Sequence, residues 1–475
     1  MSDRPPIQDT RLQLYRWMRT ARTLDAVETE LVARGEAFFQ VSGTGHEAVA
    51  ALAPWLAPDD YLHCHYRDKS LMLARGVPVV EFFHSLLCNG ASHSAGRQMS
   101  AHLSAPALKV LSLVGPVGNN ALQAAGVARE IRDQPSQPIV LCALGDGASQ
   151  QGEVLEAIAE AVRWQLPVLF LIEDNRYSIS TRTQGQTFYS HPGGDADQFY
   201  GIPIDRMDGR DALACGEQFA QVVARMRAQR GPALCVMQVE RLSNHTNADD
   251  EAVYRDAREI AQVRAEADPL ARLRAALLAE GLTAQDLNAI DRDIEREVRA
   301  ASDAALDAPT PQASLDARAP VAPGLLDPLN EYRGDAGPER LTMRAALGAT
   351  LAARMRADKR VTLYGEDIED PKGDVFGVTR DLSTAFAGRV SNSPLSESTI
   401  VGTSIGRALA GGRPVAFIQF ADFLPLVCNQ LATELGSLHW RTCGQWRAPM
   451  VVIAASGGYR PGLGPFHAST YDALV

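Results

Sequence analysis

A chain of 475 residues, 46% hydrophobic and 22% charged, is long enough to bury more than one core and reads as a globular protein of two or three domains. Its formal net charge of -11 argues against a nucleic-acid or anionic-membrane partner. No apolar run reaches 18 residues, the N-terminus lacks a signal core, and the seven cysteines are scattered without a CxxC pair, which predicts a cytoplasmic protein with neither disulfides nor a zinc site.

Residues 10–34 predict a long amphipathic helix, with Leu24, Val27 and Leu31 at helical spacing and Gly35 as its stop. From there to about residue 240 apolar strands alternate with helices, the pattern of a parallel sheet covered on both faces. Ile139 to Leu144 predicts a buried strand, Gln151 to Trp164 a helix, and Val168 to Glu173 a second buried strand. Strand, helix, strand at this length is a right-handed crossover, so the two strands are expected side by side and parallel. Asp146, inside Gly145-Asp146-Gly147, and Asn175 then both fall just beyond strand carboxyl ends, where open α/β sheets bind ligands. A carboxylate and an amide oxygen there suit a hard divalent cation, most naturally Mg²⁺ completed by water and phosphate oxygens. Glycines such as Gly147 let the backbone approach a diphosphate, whose charge the following helix N-terminus favours.

Residues 251–300 are charged, Ala-rich and helical in pattern, and Asp303 to Gly337 reads as an Ala/Pro-rich linker. A second α/β pattern follows, with a helix over Met343 to Ala357 and strands over Val361 to Gly365, Pro414 to Phe420 and Met450 to Ala455. The expected division is therefore a domain over residues 1–300, a linker over 301–340 and a second domain over 341–475. The last five residues read as one turn into a helix, and the second unit has few strands to cover its sheet. This predicts an incomplete second domain in a fragment that sustains no turnover by itself.

Gly145-Asp146-Gly147, followed after 26 intervening residues by Asp174-Asn175, resembles the thiamine diphosphate fingerprint, which usually carries Asn-Asn at the second position. Tyr66-Arg67-Asp68, Gly96-Arg97-Gln98-Met99, Gly115-Pro116-Val117-Gly118 and Arg241 with His245-Thr246 and Asp249-Asp250 each fit an ion pair, a turn or a loop when taken singly. In this order, over roughly residues 10–260, they resemble the α subunit of the thiamine diphosphate-dependent 2-oxoacid dehydrogenases, and the second and last of them look most like the branched-chain member. Pro394-Leu395-Ser396-Glu397 and Gly464-Pro465-Phe466-His467 resemble the β subunit. The fold class is thus α/β, with two thiamine diphosphate-binding-type doubly wound parallel-sheet domains, the second incomplete.

The resemblance implies that Asp146, Asn175 and the Tyr177 carbonyl hold Mg²⁺. Arg67 and Arg241 would clamp the diphosphate, Tyr66 and Gly147 would be cofactor-binding, and backbone groups of Gly115 and Val117 would hold the aminopyrimidine. His245 would lie in the loop over the site and handle protons beside the substrate. Glu397 would face the pyrimidine ring nitrogen as a buried carboxyl of raised pKa, the alternative being a helix cap. Phe423 would pack on the aminopyrimidine with Gln419 close by, and His467 would be the second catalytic histidine. After His467 the family's usual Ser-Gln-Ser is replaced by Ala468-Ser469-Thr470. Thr246 falls where mammalian relatives carry a regulatory phosphoserine, but a hydroxyl alone predicts no such control.

Both halves on one chain indicate an α–β fusion. Its expected activity is oxidative decarboxylation of a 2-oxoacid, branched-chain type favoured, with acyl transfer to the lipoyl group of a partner acyltransferase by a dimer of fused chains. The alternatives are a pyruvate or acetoin dehydrogenase component of the same fold, and a non-catalytic assembly or regulatory subunit. Retention of Asp146, Asn175, Glu397 and His467 together argues against the last, since folding alone requires none of them.

Overall fold

The computed structural model describes residues 7–312, 321–330, 337–458 and 460–471, and the architecture is α/β. Residue contacts divide the chain into two compact units: Met1–Gly118, Gln134–Gln151 and Ala161–Ala313 form the first, and Asn119–Asp133, Gly152–Glu160 and Ser314–Val475 the second. This division differs from a linear one at residues 300 and 340, because two helical stretches of the N-terminal half pack within the second unit. Among the described residues no helix is long and apolar enough to cross a membrane. All seven cysteines are free.

The first unit holds a sheet of strands β1 (Tyr61–His63), β2 (Val140–Gly145), β3 (Val168–Asp174), β4 (Gln198–Phe199), β5 (Ile202–Asp208) and β6 (Ala233–Gln238). Their order is β1-β2-β3-β6-β5-β4, parallel except for the β4–β5 pair at the edge. β2 and β3 are almost wholly buried, which their unbroken Val, Leu, Ile and Phe content requires of a strand covered on both faces. Their register pairs Gly145 with Glu173. Asp146 is therefore level with Asp174, one residue short of Asn175.

Helix Ile7–Ala33 places Leu24, Val27 and Leu31 in the core that also takes Leu287, Ile290, Ile294 and Val298 of helix Ala284–Leu306. Each such side chain contributes roughly 1.5–3 kcal/mol by leaving water. Gly35 ends the first helix at φ 76, where its amide donates to Val32 O (3.0 Å). The expected alternation fails between β3 and β5. Two-residue hairpins pair Tyr177–Ser178 with Thr181–Arg182 and Ser190–His191 with Gly194–Asp195, in a polar stretch with no apolar period to build a helix. The linker also begins later than residue 303. Helix Ala284–Leu306 runs through that point, and the Pro309 carbonyl then accepts from Gly90 N (2.8 Å). Residues 313–320 and 331–336 of the expected linker lie outside the described residues.

The second unit holds a parallel sheet of β7 (Val361–Gly365), β8 (Val390–Asn392), β9 (Arg413–Phe420) and β10 (Val451–Ala455) in the order β8-β7-β9-β10. β8 was not expected, and three residues are too few to carry a periodic signal. Helix Glu397–Leu409 crosses helix Asn120–Ile131 at very short range. A Cβ at Gly126 would lie 2.0 Å from Thr403 O, and one at Gly406 would lie 2.0 Å from Gln123 O. The small-residue run after Glu397 is thus explained by this crossing.

Candidate active site

Asp146 and Asn175 stand where the strand ends were expected to put them. The Asp146 side chain is 3% exposed; its Oδ1 accepts from the Gly147 amide (2.9 Å) and its Oδ2 from the Thr183 hydroxyl (2.6 Å). Burial pushes its pKa up, and those two donors hold it partly down. Asp174 beside it is pushed up to about 6, by burial first and then by the charge of Asp146. Asn175 Oδ1 accepts from the Tyr177 amide (3.0 Å) while its Nδ2 faces His46 Nε2 (3.3 Å). At Gly147 a Cβ would sit 2.4 Å from Ser178 Oγ, so the turn passes under the hairpin only as glycine.

Two arginines come from loops after β1 and β6. Arg67 donates to the carbonyls of Ser42 and His245 (3.1 Å for the latter), and its Nη2 lies 3.0 Å from His245 Nδ1. Arginine can only donate, so Nδ1 accepts and a neutral His245 carries its proton on Nε2. Burial, then the charges of Arg67 and Arg241, lower the His245 pKa to about 4, which keeps it neutral near pH 7. Arg241 donates to Ile179 O (3.1 Å) and to the Tyr254 hydroxyl, which donates to Asp249 Oδ2 (2.6 Å). Asp249 Oδ2 also accepts the His245 amide (2.8 Å). Among the described residues Arg241 Nε is buried without a hydrogen-bond partner, a donor whose desolvation an anion would offset. Tyr66 packs between His65 (3.9 Å), His102 (6.2 Å) and His245 (6.4 Å), all between ring centroids. Gly115 and Val117 are exposed, in the turn just before helix Asn120–Ile131.

In the second unit Glu397 opens helix Glu397–Leu409 and is only partly buried. A second carboxyl, Glu366, lies close by, just after β7. Glu366 is 2% exposed and pushed up to about 7, by burial first and then by the charge of Glu397. Glu397 stands in the first turn of its helix, whereas Glu366 follows a buried strand. The Ser396 side chain makes no capping hydrogen bond at this helix. Gln419 Nε2 donates to Asp367 Oδ2 (2.6 Å), next to Glu366. His467 is exposed, with its ring 5.9 Å from Phe423 and 4.7 Å from Phe420 between centroids. The Ser469 amide donates to Asp422 Oδ1 (3.1 Å), so the departure after His467 still ties that segment beside Phe423.

Sequence reasoning missed Thr183, His46, Glu173 and Glu366. A glutamate inside a buried strand end was the one available signal, since such a group must find a partner. Asp68 and Glu173 in fact form a buried carboxyl pair, with Asp68 held well above the carboxylate range by burial and then by Glu173.

Residues 15–314 match the family described as Dehydrogenase E1 component, and residues 339–473 match Transketolase, pyrimidine binding domain. The 2-oxoisovalerate dehydrogenase subunit alpha 1, mitochondrial, of Arabidopsis thaliana is 30% identical over 271 residues, 57% of this chain and 57% of that protein. The pyruvate dehydrogenase E1 component subunit alpha, mitochondrial, of Dictyostelium discoideum is 31% identical over 307 residues, 63% of this chain and 78% of that protein. The 3-methyl-2-oxobutanoate dehydrogenase subunit alpha of Mycobacterium tuberculosis is 31% identical over 336 residues, 69% of this chain and 88% of that protein.

Proposed function

The chain belongs to the dehydrogenase E1 component family, the thiamine diphosphate-dependent 2-oxoacid dehydrogenases, and from that premise we propose that it decarboxylates a branched-chain 2-oxoacid and delivers the acyl group to the lipoyl group of a partner acyltransferase. The observation that carries this reading is a buried strand-end acid, Asp146, acted on by the charge of the buried Arg241, whose Nε has no hydrogen-bond partner among the described residues. A buried acid and an unsatisfied buried donor together would suit a divalent cation and an anionic phosphate group. We assign Asp146, Asn175 and the Tyr177 carbonyl to Mg²⁺, and Arg67, Arg241, Tyr66 and Gly147 to the diphosphate.

Bound thiamine diphosphate supplies the carbanion chemistry that lets a 2-oxoacid lose carbon dioxide. The protein's own residues then bind, orient and manage protons. Gly115 and Val117 present backbone groups, Phe423 presents a ring face with Gln419 beside it, and Glu397 offers its carboxyl to the pyrimidine nitrogen. Glu366, beside Glu397, is raised to about 7 by burial and then by the charge of Glu397, so its carboxyl is only partly ionised near neutral pH. His245 offers an Nε2–H donor and His467 an exposed imidazole.

E1 components work with lipoyl acyltransferases and are usually oligomeric; a dimer of fused chains in the cytoplasm is our more specific reading. Branched-chain specificity rests on Gly96-Arg97-Gln98-Met99 and on the Arg241 to Asp250 run, because branched-chain and pyruvate relatives are about equally similar, at 30 and 31% identity. Steady-state assay of the full-length protein with 3-methyl-2-oxobutanoate and pyruvate, lipoylated acceptor present, should give at least ~10-fold higher kcat/KM for the former. The reverse order would make pyruvate the substrate, and absence of thiamine diphosphate binding would mark a non-catalytic subunit.

A further inference from the structure

We propose that the buried pair Glu173–His46 is a positioning device for Asn175, fixing its amide so that Oδ1, and not Nδ2, faces the divalent cation. This rests on the metal assignment made above.

An asparagine ligand has two ends of similar shape and opposite chemistry. Its oxygen binds a hard cation, while its NH2 repels one. The Tyr177 backbone amide can only donate, so the Asn175 atom 3.0 Å from it must be the oxygen. The other end is then Nδ2, and it donates to His46 Nε2 at 3.3 Å. An accepting Nε2 puts the imidazole proton on Nδ1, which lies 2.6 Å from Glu173 Oε2, an atom that can accept it. Each link therefore has one allowed polarity, from an obligate donor at Tyr177 to a carboxylate at Glu173. Asn175 Oδ1 keeps a second lone pair, which is the one offered to the cation.

The device is rigid. His46 and Glu173 are both 0% exposed, so water cannot replace either partner. Glu173 is fixed in β3 opposite Gly145. His46 follows a loop that Asp25 pins by accepting from Ser42 Oγ (2.9 Å), Gly43 N (2.8 Å) and Thr44 Oγ1 (3.0 Å). Gly45 lies at φ 98 with Glu240 O only 1.8 Å from where a Cβ would be. Removing the pair would leave one backbone hydrogen bond to orient Asn175.

Outer partners of this kind carry about 10–100-fold in metal affinity. The test uses Mn²⁺ with thiamine diphosphate and the full chain, and reads free Mn²⁺ by electron paramagnetic resonance. His46→Leu should bind Mn²⁺ roughly 10–100-fold more weakly than the parent. His46→Gln should restore most of the affinity, because one amide can donate to Glu173 and accept from Asn175. Glu173→Gln keeps the shape but removes the enforced polarity, so it should fall between them; it carries the test if His46→Leu fails to fold. Asp146→Ala is the control for the metal assignment. If it loses Mn²⁺ while Glu173→Gln and His46→Leu match the parent, the positioning role is wrong and the metal site stands. Equal weakening in His46→Leu and His46→Gln would also overturn the role, since that is a packing effect. Parent-like binding by Asp146→Ala would instead remove the metal assignment itself.

Discussion

In the first unit Asp146, Asn175, Arg67 and Arg241 are all less than a tenth exposed, and each has a hydrogen-bond partner among the described residues. In the second unit Glu397, Gln419 and Phe423 are partly buried, His467 is exposed, and Phe423 meets His467 edge-on. The two regions solve different problems. Concentrated charge needs donors and acceptors aimed in advance, because a misplaced buried polar group costs about 1–3 kcal/mol. A flat ring needs a hydrophobic face, which tolerates looser placement. Strand ends in a covered parallel sheet supply the first kind of precision, whereas loops and a helix start supply the second.

Asp146→Ala should break the first region most severely. It removes the proposed ligand and leaves Thr183 Oγ1 without its acceptor, so metal-dependent thiamine diphosphate affinity should fall by more than the ~100-fold ceiling for an outer partner. Calorimetric titration with Mg²⁺ checks this, and an unchanged affinity would mean that the strand-end acid holds no metal. Glu397→Gln addresses the second region through proton transfer. Cofactor binding should stay near the parent level while hydrogen exchange at the reactive cofactor carbon, followed by NMR, slows by about 100-fold or more. Exchange at the parent rate would reduce Glu397 to a first-turn carboxylate favoured by the helix dipole, worth ~0.3–1 kcal/mol.

A third expectation concerns pH. Glu366 is raised from 4.5 to about 7, so the folded state keeps a proton that the unfolded state has already released above pH 4.5. The unfolded chain then binds fewer protons, and stability falls as pH rises from about 5 to 7. Glu366→Gln should flatten that fall by roughly 1–3 kcal/mol. Glu28 in the first unit, also raised to about 7 by burial, shares the window, so the difference between parent and variant is what reports on Glu366. Denaturant melts at pH 5 and pH 7 measure it, and parallel profiles would place the titration elsewhere.

How far the sequence reached follows the same contrast. Long apolar runs told the truth: β2, β3, β7, β9 and helix Met343–Ala357 fall within a residue or so of where periodicity put them, and the crossover places Asp146 and Asn175 as expected. Motif spacing likewise led to Arg67, Arg241 and His245, which the structure brings together through Asp249 and Tyr254. What stayed hidden depends on contacts over long sequence separation. Nothing local ties His46 to Glu173 or Thr183 to Asp146, and β8 is too short to register. Glu366 was hidden for a different reason. The small-residue run after Glu397 buries itself against another helix, and the carboxyl most withdrawn from water instead follows a strand, where nothing local marks it.

The smallest expected effect sharpens the comparison where this chain departs from its family, at Asp174. Its carboxyl stands level with Asp146, accepts the Arg176 amide (2.8 Å), and is raised by burial and by the charge of Asp146. A second acid behind the proposed ligand shell has two opposed consequences. Without metal it repels Asp146, and with metal it adds attraction for the cation through a partly screened distance. Asp174→Asn removes both, and an asparagine can still accept the Arg176 amide, so the turn keeps its shape. Metal affinity should therefore weaken only a few-fold, against the far larger loss in Asp146→Ala, while thermal stability of the metal-free protein rises slightly. A loss in Asp174→Asn as large as that in Asp146→Ala would make Asp174 itself a ligand and shift the cation toward the β3 end.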